Sequence, residues 1–195
     1  PCNGTKHCAP PRYKTGSHRL GFKKNMKEHI GEFYFQIIMK KIIDYQNHIV
    51  SHYDIPLTGH FVSYRGSTVN WCPIGRNATP PEREKFSHFD KSFGSSTFRR
   101  TVLEQIREEF LIAKIPAEIK LGGETSFDIY PTGWDKTFAL SHFNDYEVYF
   151  LGDRCGVNGN DKEIFDALQP LNSFWVEDTK HTKRILEEVI LPRIQ

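Results

Sequence analysis

The chain has 195 residues, of which 38% are hydrophobic, 26% charged and 13% aromatic. Its 15 Phe argue against disorder, which is poor in such residues, and no apolar run approaches the ~20 residues of a membrane-spanning helix. Lys and Arg total 26 against 24 Asp and Glu, a formal charge of +2, which leaves no basic stripe for nucleic acid.

Residues 1–16 are rich in Pro, Gly and small polar side chains and read as a linker or a ragged entry. They lack the apolar stretch of a secretory signal, so a cytoplasmic location is expected. The Asn-x-Thr strings at Asn3 and Asn77 then read as chance. Cys2, Cys8, Cys72 and Cys155 are too few and scattered for a disulfide framework. Cys2 and Cys8 could pair, but buried or idle thiols fit a reducing compartment better. The nine His show no HxH or HExxH spacing, so no zinc site is expected.

Asn25 and Glu28 form a capping-box pair. Met26, Ile30, Phe33, Ile37 and Tyr45 then recur at helical spacing, which predicts one amphipathic helix to about Ile49. Residues 60–65 and 68–72 alternate around Gly66 and predict a hairpin. Thr79-Pro80-Pro81-Glu82 is a second helix start, with a Thr cap, Pro at the first position and Glu at the third. A longer helix over 97–113 carries Phe98, Val102, Ile106 and Phe110 on one stripe. A second hairpin turns at Gly122-Gly123, and its returning strand alternates Thr125, Phe127 and Ile129 with Ser126, Asp128 and Tyr130, one greasy face and one polar. These elements predict a small α+β layer with an antiparallel sheet.

The pattern changes after Gly133. Asp135 can cap a helix through Phe143, and residues 147–151 form a nearly unbroken apolar run, as in a buried parallel strand. A Gly-rich loop follows Gly152-Asp153 and enters a helix at Asn160. Residues 173–176 read as a strand and 178–190 as a closing amphipathic helix. The αβαβα order is that of a doubly wound α/β fold. Two segments of different architecture therefore meet near Gly133.

In an open parallel sheet, ligands bind at the carboxyl ends of strands. Asp153 sits at such an end, and with Asn160 and Asp161 it suits a hard cation such as Mg2+. Asn160 taken alone is more simply a helix cap, whereas the combined arrangement points to function. Lys136 lies just inside a helix N-terminus, where the macrodipole disfavours a cation and a nearby phosphate would relieve the conflict; a solvated lysine is the plain alternative. Ser126 and Asp128, two apart, share a strand face. Arg76 and Arg83 flank the Thr79 helix start, a natural place for phosphate, and Arg65 sits at the first hairpin turn. Each Arg alone reads as a surface charge; their grouping in one segment raises the functional reading.

Val69-Asn70-Trp71-Cys72-Pro73-Ile74-Gly75-Arg76, Glu82-Arg83, Gly122-Gly123, Ser126-Phe127-Asp128, Gly133-Trp134-Asp135-Lys136 and Gly152-Asp153 with Gly159-Asn160-Asp161 resemble the eukaryotic-type phosphomannomutases. The strings follow that family's order and spacing, from about Tyr13 to near the C-terminus. The resemblance implies a haloacid dehalogenase-like fold, with a Rossmann-like core and an inserted α+β cap. On that reading residues 1–16 are a remnant of the core-to-cap junction, 17–132 the substrate-binding cap, and 133–195 the second half of the core. The implied activity interconverts mannose 6-phosphate and mannose 1-phosphate for GDP-mannose synthesis and glycosylation. It works through an aspartyl-phosphate, with Mg2+ and a hexose 1,6-bisphosphate as activator or intermediate. Arg65, Arg76, Arg83, Ser126 and Asp128 would bind sugar phosphate, and Lys136 would neutralise the phospho-aspartate. Asp153 would complete the metal site, supported by Asn160 and Asp161. A homodimer through the cap is also implied.

The sequence departs from that family's pattern. No Asp-x-Asp occurs anywhere, although the family's nucleophile and acid–base pair lie in such a string. Pro1-Cys2-Asn3-Gly4-Thr5 resembles the string where core hands over to cap, with Cys2 in place of Glu. The chain is therefore expected to lack the first half of the core, and to be poorly soluble and inactive alone. Asn158 stands where the family favours Gly, and residues 166–169 also differ. A catalytically silent fragment that binds sugar phosphate or dimerises is one alternative. A related sugar phosphatase is another, against which the Arg76, Arg83 and Ser126-Phe127-Asp128 strings weigh.

Overall fold

Local capping chemistry sets most helix starts in the computed structural model, which describes residues 2–9, 19–157 and 159–194. Asn158, residues 10–18 (which include the end of the expected linker), and the side chains of Cys2 and Cys8 lie outside the described ones. The chain divides into two units between Thr132 and Gly133.

The first unit opens with a feature that the sequence reading missed. Strands β1 (Lys6–Ala9) and β2 (Arg19–Lys23) pair antiparallel, with an irregularity between His7 and Cys8. The stretch expected to be ragged therefore contributes a strand, because pairing between distant segments leaves little local pattern. Asn25 then caps α1 (Met26–Ile30), its side-chain oxygen accepting from the backbone N–H of Lys27 at 2.9 Å and of Glu28 at 3.3 Å.

The single helix expected here is two. Gly31 adopts φ +84°, a conformation that glycine tolerates and that ends the helical path. Helix α2 (Glu32–His52) restarts beyond it. The restart changes the phase of the stripe. Phe35, Ile38, Ile42 and Ile49 are buried, whereas Phe33 is 71% exposed.

Strands β3 (Val62–Tyr64) and β4 (Val69–Trp71) form the first hairpin. Its turn is closed by the Arg65 N–H donating to the Thr68 carbonyl at 2.8 Å, with Gly66 at φ +88°. Helix α3 (Pro80–Lys91) begins as the Thr79 string predicts: the Thr79 N–H donates to a Glu82 carboxylate oxygen at 2.7 Å, and Pro occupies the first turn. Helix α4 (Phe98–Ile112) buries Phe98, Val102, Ile106 and Phe110 on the expected stripe. Strands β5 (Ala117–Gly122) and β6 (Ser126–Pro131) form the second hairpin.

The four strands make an antiparallel sheet in the order β3-β4-β6-β5. Trp71 stacks on Phe127, ring centres 4.8 Å apart and planes 20° apart. They join Phe86, Phe98, Leu103, Ile106, Ile119 and Ile129 in one core. Each such buried side chain contributes about 1.5–3 kcal/mol by leaving water. The polar face of β6 is not a solvated face, since Ser126 is buried and Asp128 half-buried.

In the second unit, Asp135 caps a helix as expected, accepting from the Thr137 N–H at 2.7 Å, but Lys136–His142 is a 3-10 helix rather than a regular α-helix. Strand β7 (Phe150–Gly152) pairs parallel with β8 (Ser173–Trp175). The parallel pairing matches the apolar run, yet the strand keeps three residues and its two aromatic and aliphatic members are half-buried. Helix α5 (Lys162–Ala167) starts two residues later than expected. Helix α6 (Thr179–Ile185) passes into a π-turn at Leu186–Ile190, so the closing helix is not uniformly α-helical. Among the described residues no helix is long and apolar enough to cross a membrane.

Candidate functional site

In the first unit, one cavity of about 300 Å³ gathers Arg65, Arg76, Arg83, Ser126 and Asp128, together with Asn70, Cys72 and the turn from Gly122 to Thr125. Arg65 comes from the turn after β3, and Arg83 from the first turn of α3. Arg76 follows a tight backbone approach at Gly75, where a Cβ would lie 2.1 Å from the Gly59 carbonyl oxygen. Strand β6 supplies Ser126 and Asp128.

Asn70 ties these groups together. Its amide nitrogen donates to Asp128 Oδ1 at 2.8 Å and to Ser126 Oγ at 3.1 Å. Its amide oxygen accepts from an Arg76 guanidinium N–H at 2.7 Å. One neutral side chain thus holds a cation and an anion in fixed relation. Ser126 Oγ donates in turn to the Gly122 carbonyl at 2.5 Å. The absence of a side chain at Gly122 leaves room for Asp128, since a Cβ there would sit 2.7 Å from Asp128 Oδ2. Arg83 donates through Nε to the Ala78 carbonyl at 3.0 Å, and reaches Thr125 Oγ1 at 3.5 Å.

Three guanidiniums against the carboxylates of Glu124 and Asp128 leave a net cationic pocket with hydroxyl-binding groups at one wall. Such a pocket suits a phosphate dianion joined to a polyol, since Arg–phosphate hydrogen bonds are charge-assisted and a carboxylate accepts from hydroxyls. The sequence reading assigned no role to Asn70 or Thr125. The available signal was a polar residue between buried Val69 and Trp71 on a central strand.

In the second unit, Lys136 forms an ion pair with Asp161, which is 4% exposed. Asp161 Oδ2 also accepts the Arg154 N–H at 3.1 Å. The conflict expected between Lys136 and its helix start is thus answered within the protein, by a buried carboxylate. Asp153 is exposed at the end of β7, and its carbonyl accepts from Trp175 Nε1 at 3.2 Å. Asn160 Oδ1 is buried with no hydrogen-bond partner among the described residues. An orphan amide oxygen close in sequence to a carboxylate fits a hard cation, and Mg2+ commonly takes few protein oxygens beside water and phosphate. Among the described residues no cluster of three His, Cys, Asp or Glu could hold a metal. In this loop Asp161 is paired with Lys136, Asp153 is exposed, and the Asn160 oxygen is the orphan. Burial first, and then the Asp161 and Asp153 carboxylates, push the Cys155 thiol up to about 11. It stays protonated at neutral pH.

A profile described as eukaryotic phosphomannomutase matches residues 11–192. Phosphomannomutase 2 of Dictyostelium discoideum is 36% identical over 180 residues, 90% of this chain and 68% of that protein. Phosphomannomutase of Drosophila melanogaster is 34% identical over 173 residues, 86% of this chain and 64% of its own length. Phosphomannomutase of Solanum lycopersicum is 35% identical over 147 residues, covering 74% and 55%. The chain thus spans between 55% and 68% of these relatives. A solved structure of N-terminally truncated, IMP-bound IMP-nucleotidase from Plasmodium falciparum aligns over 80% of this chain and 38% of its own, at 14% identity and a TM-score of 0.49.

Proposed function

This chain belongs to the eukaryotic phosphomannomutase family, and we propose that it serves the reaction its relatives are named for, the exchange of phosphate between the 6- and 1-positions of mannose. The observation that supports this most is the convergence of Arg65, Arg76, Arg83, Ser126 and Asp128 on one cavity. In that reading Arg76 and Arg83 hold a phosphate of the substrate and Arg65 closes over it. Asp128, oriented by Asn70, accepts from sugar hydroxyls. Uniform grip on the non-reacting phosphate orients the sugar, which is the main protein contribution to phosphoryl transfer.

In the second unit Lys136 supplies positive charge for a phosphorylated carboxylate, and Asp161 sets where its ammonium stands. Asp153 and Asn160 would hold Mg2+, which when bound neutralises phosphate charge and orients the phosphoryl group. A hexose 1,6-bisphosphate serves as activator. The same reading places the chain in supply of GDP-mannose for glycosylation, in the cytoplasm, as a homodimer through the first unit. Exposed Phe33 and Ile43 on α2 leave apolar area for such an interface.

Transfer also needs a nucleophilic carboxylate with an acid–base partner. No Asp-x-Asp pair occurs in these 195 residues. That absence supports a second reading, in which this chain alone binds sugar phosphate without turning it over. An assay with mannose 1-phosphate, Mg2+ and glucose 1,6-bisphosphate separates the two, run on this chain and on a version extended with an Asp-x-Asp-bearing first half. Turnover is expected from the extended version. Robust turnover by this chain alone that survives Asp153→Ala would contradict the assigned roles.

A further inference from the structure

We propose that Arg99, outside the cavity, is a positioning residue for it. This rests on the reading of that cavity as a sugar-phosphate site. Arg99 and Asp90 form an ion pair with side chains 11% and 6% exposed. A buried pair is costly to desolvate, and well-packed apolar residues often stabilise a fold as well. Its placement is therefore the informative part.

Asp90, near the end of α3, accepts from the Arg99 backbone N–H at 2.7 Å and from its Nε at 3.0 Å. The guanidinium is thereby fixed at the start of α4, and its NH1 donates to the Gly123 carbonyl at 3.1 Å. Gly123 belongs to the turn that lines the cavity, with φ +54°. Arg83, at the other end of α3, touches the same turn through Thr125, but at 3.5 Å. That long contact is easily given up when Arg83 turns to a phosphate. Arg99 is held by Asp90 and is not in the cavity lining, so it keeps the turn in place as Arg83 moves. The turn in turn sets Ser126 and the space beside Asp128.

The test compares wild type with Arg99→Lys by calorimetric titration of mannose 1-phosphate, hydrogen exchange over residues 122–126, and thermal melting. Lysine keeps a cation beside Asp90 but lacks the fork that spans to Gly123. Affinity should fall about tenfold, the scale of one hydrogen bond to a charged group, and exchange over 122–126 should quicken while the melting temperature changes little. Wild-type affinity, or wild-type exchange over 122–126, overturns the proposal. Should Arg99→Lys melt far below wild type, Arg99→Gln combined with Asp90→Asn replaces the pair by neutral amides, and the same two readouts decide. If wild type itself binds no mannose 1-phosphate, the sugar-phosphate reading has failed, and exchange over 122–126 alone decides whether Arg99 holds the turn.

Discussion

Asn70 stands opposite Asp128 across β4 and β6, and its amide nitrogen lies 2.8 Å from the Asp128 carboxylate while its amide oxygen receives Arg76. The two ends of one amide therefore set the spacing between the Arg76 guanidinium and the Asp128 carboxylate.

Asn70→Ala removes the amide, and with it the contacts to Arg76, Asp128 and Ser126, without inserting bulk at this buried position. Exposed Arg76 and half-buried Asp128 then lose their common partner, at a cost of about 0.5–1.5 kcal/mol for each ordinary hydrogen bond removed. Calorimetry should show mannose 1-phosphate bound at least tenfold more weakly, with a lowered melting temperature. Unchanged affinity would mean that Arg76 and Asp128 do not need Asn70.

Phe127 is fully buried and stacked on Trp71. Phe127→Ala should destabilise the first unit by about 3–5 kcal/mol, through lost burial and the cavity left behind. Chemical denaturation followed by Trp fluorescence checks this. A loss under about 1 kcal/mol, far below the usual range for such a truncation, would show that the sheet face is not packed as described.

Hydrogen bonds from the Thr79 side chain, then from its backbone N–H, hold the Glu82 carboxyl below its usual range. A lowered folded-state value means that the capping contribution is present above the ordinary carboxylate value and is lost as pH falls through the folded one. Glu82→Gln should therefore loosen the start of α3 at neutral pH and make little difference in strong acid. Hydrogen exchange at the first turn of α3, measured in both proteins across that window, checks the sign.

Elements with a complete local signal were legible. Thr79-Pro80-Pro81-Glu82 carries its own cap, and the spacing of Phe98, Val102, Ile106 and Phe110 is an α-helical face that α4 buries. Gly31 was not legible as a break, because apolar residues continue on both sides of it and the phase change follows from one positive φ. The β1–β2 pair was missed for want of local alternation. At the site, each Arg could be named from its place beside a turn or helix start. The Lys136–Asp161 pair joins residues 25 apart, and the Asn70–Asp128 contact residues 58 apart. Neither spacing follows from periodicity; both depend on strand register and on loop paths.

A sugar-phosphate site in the first unit's cavity is tested most directly by calorimetric titration of mannose 1-phosphate into wild type and Arg83→Ala. Arg83 loses charge-assisted contacts to a phosphate but leaves the core intact, so affinity should drop at least tenfold while melting stays close to wild type. Equal affinity in the two proteins would contradict the assignment.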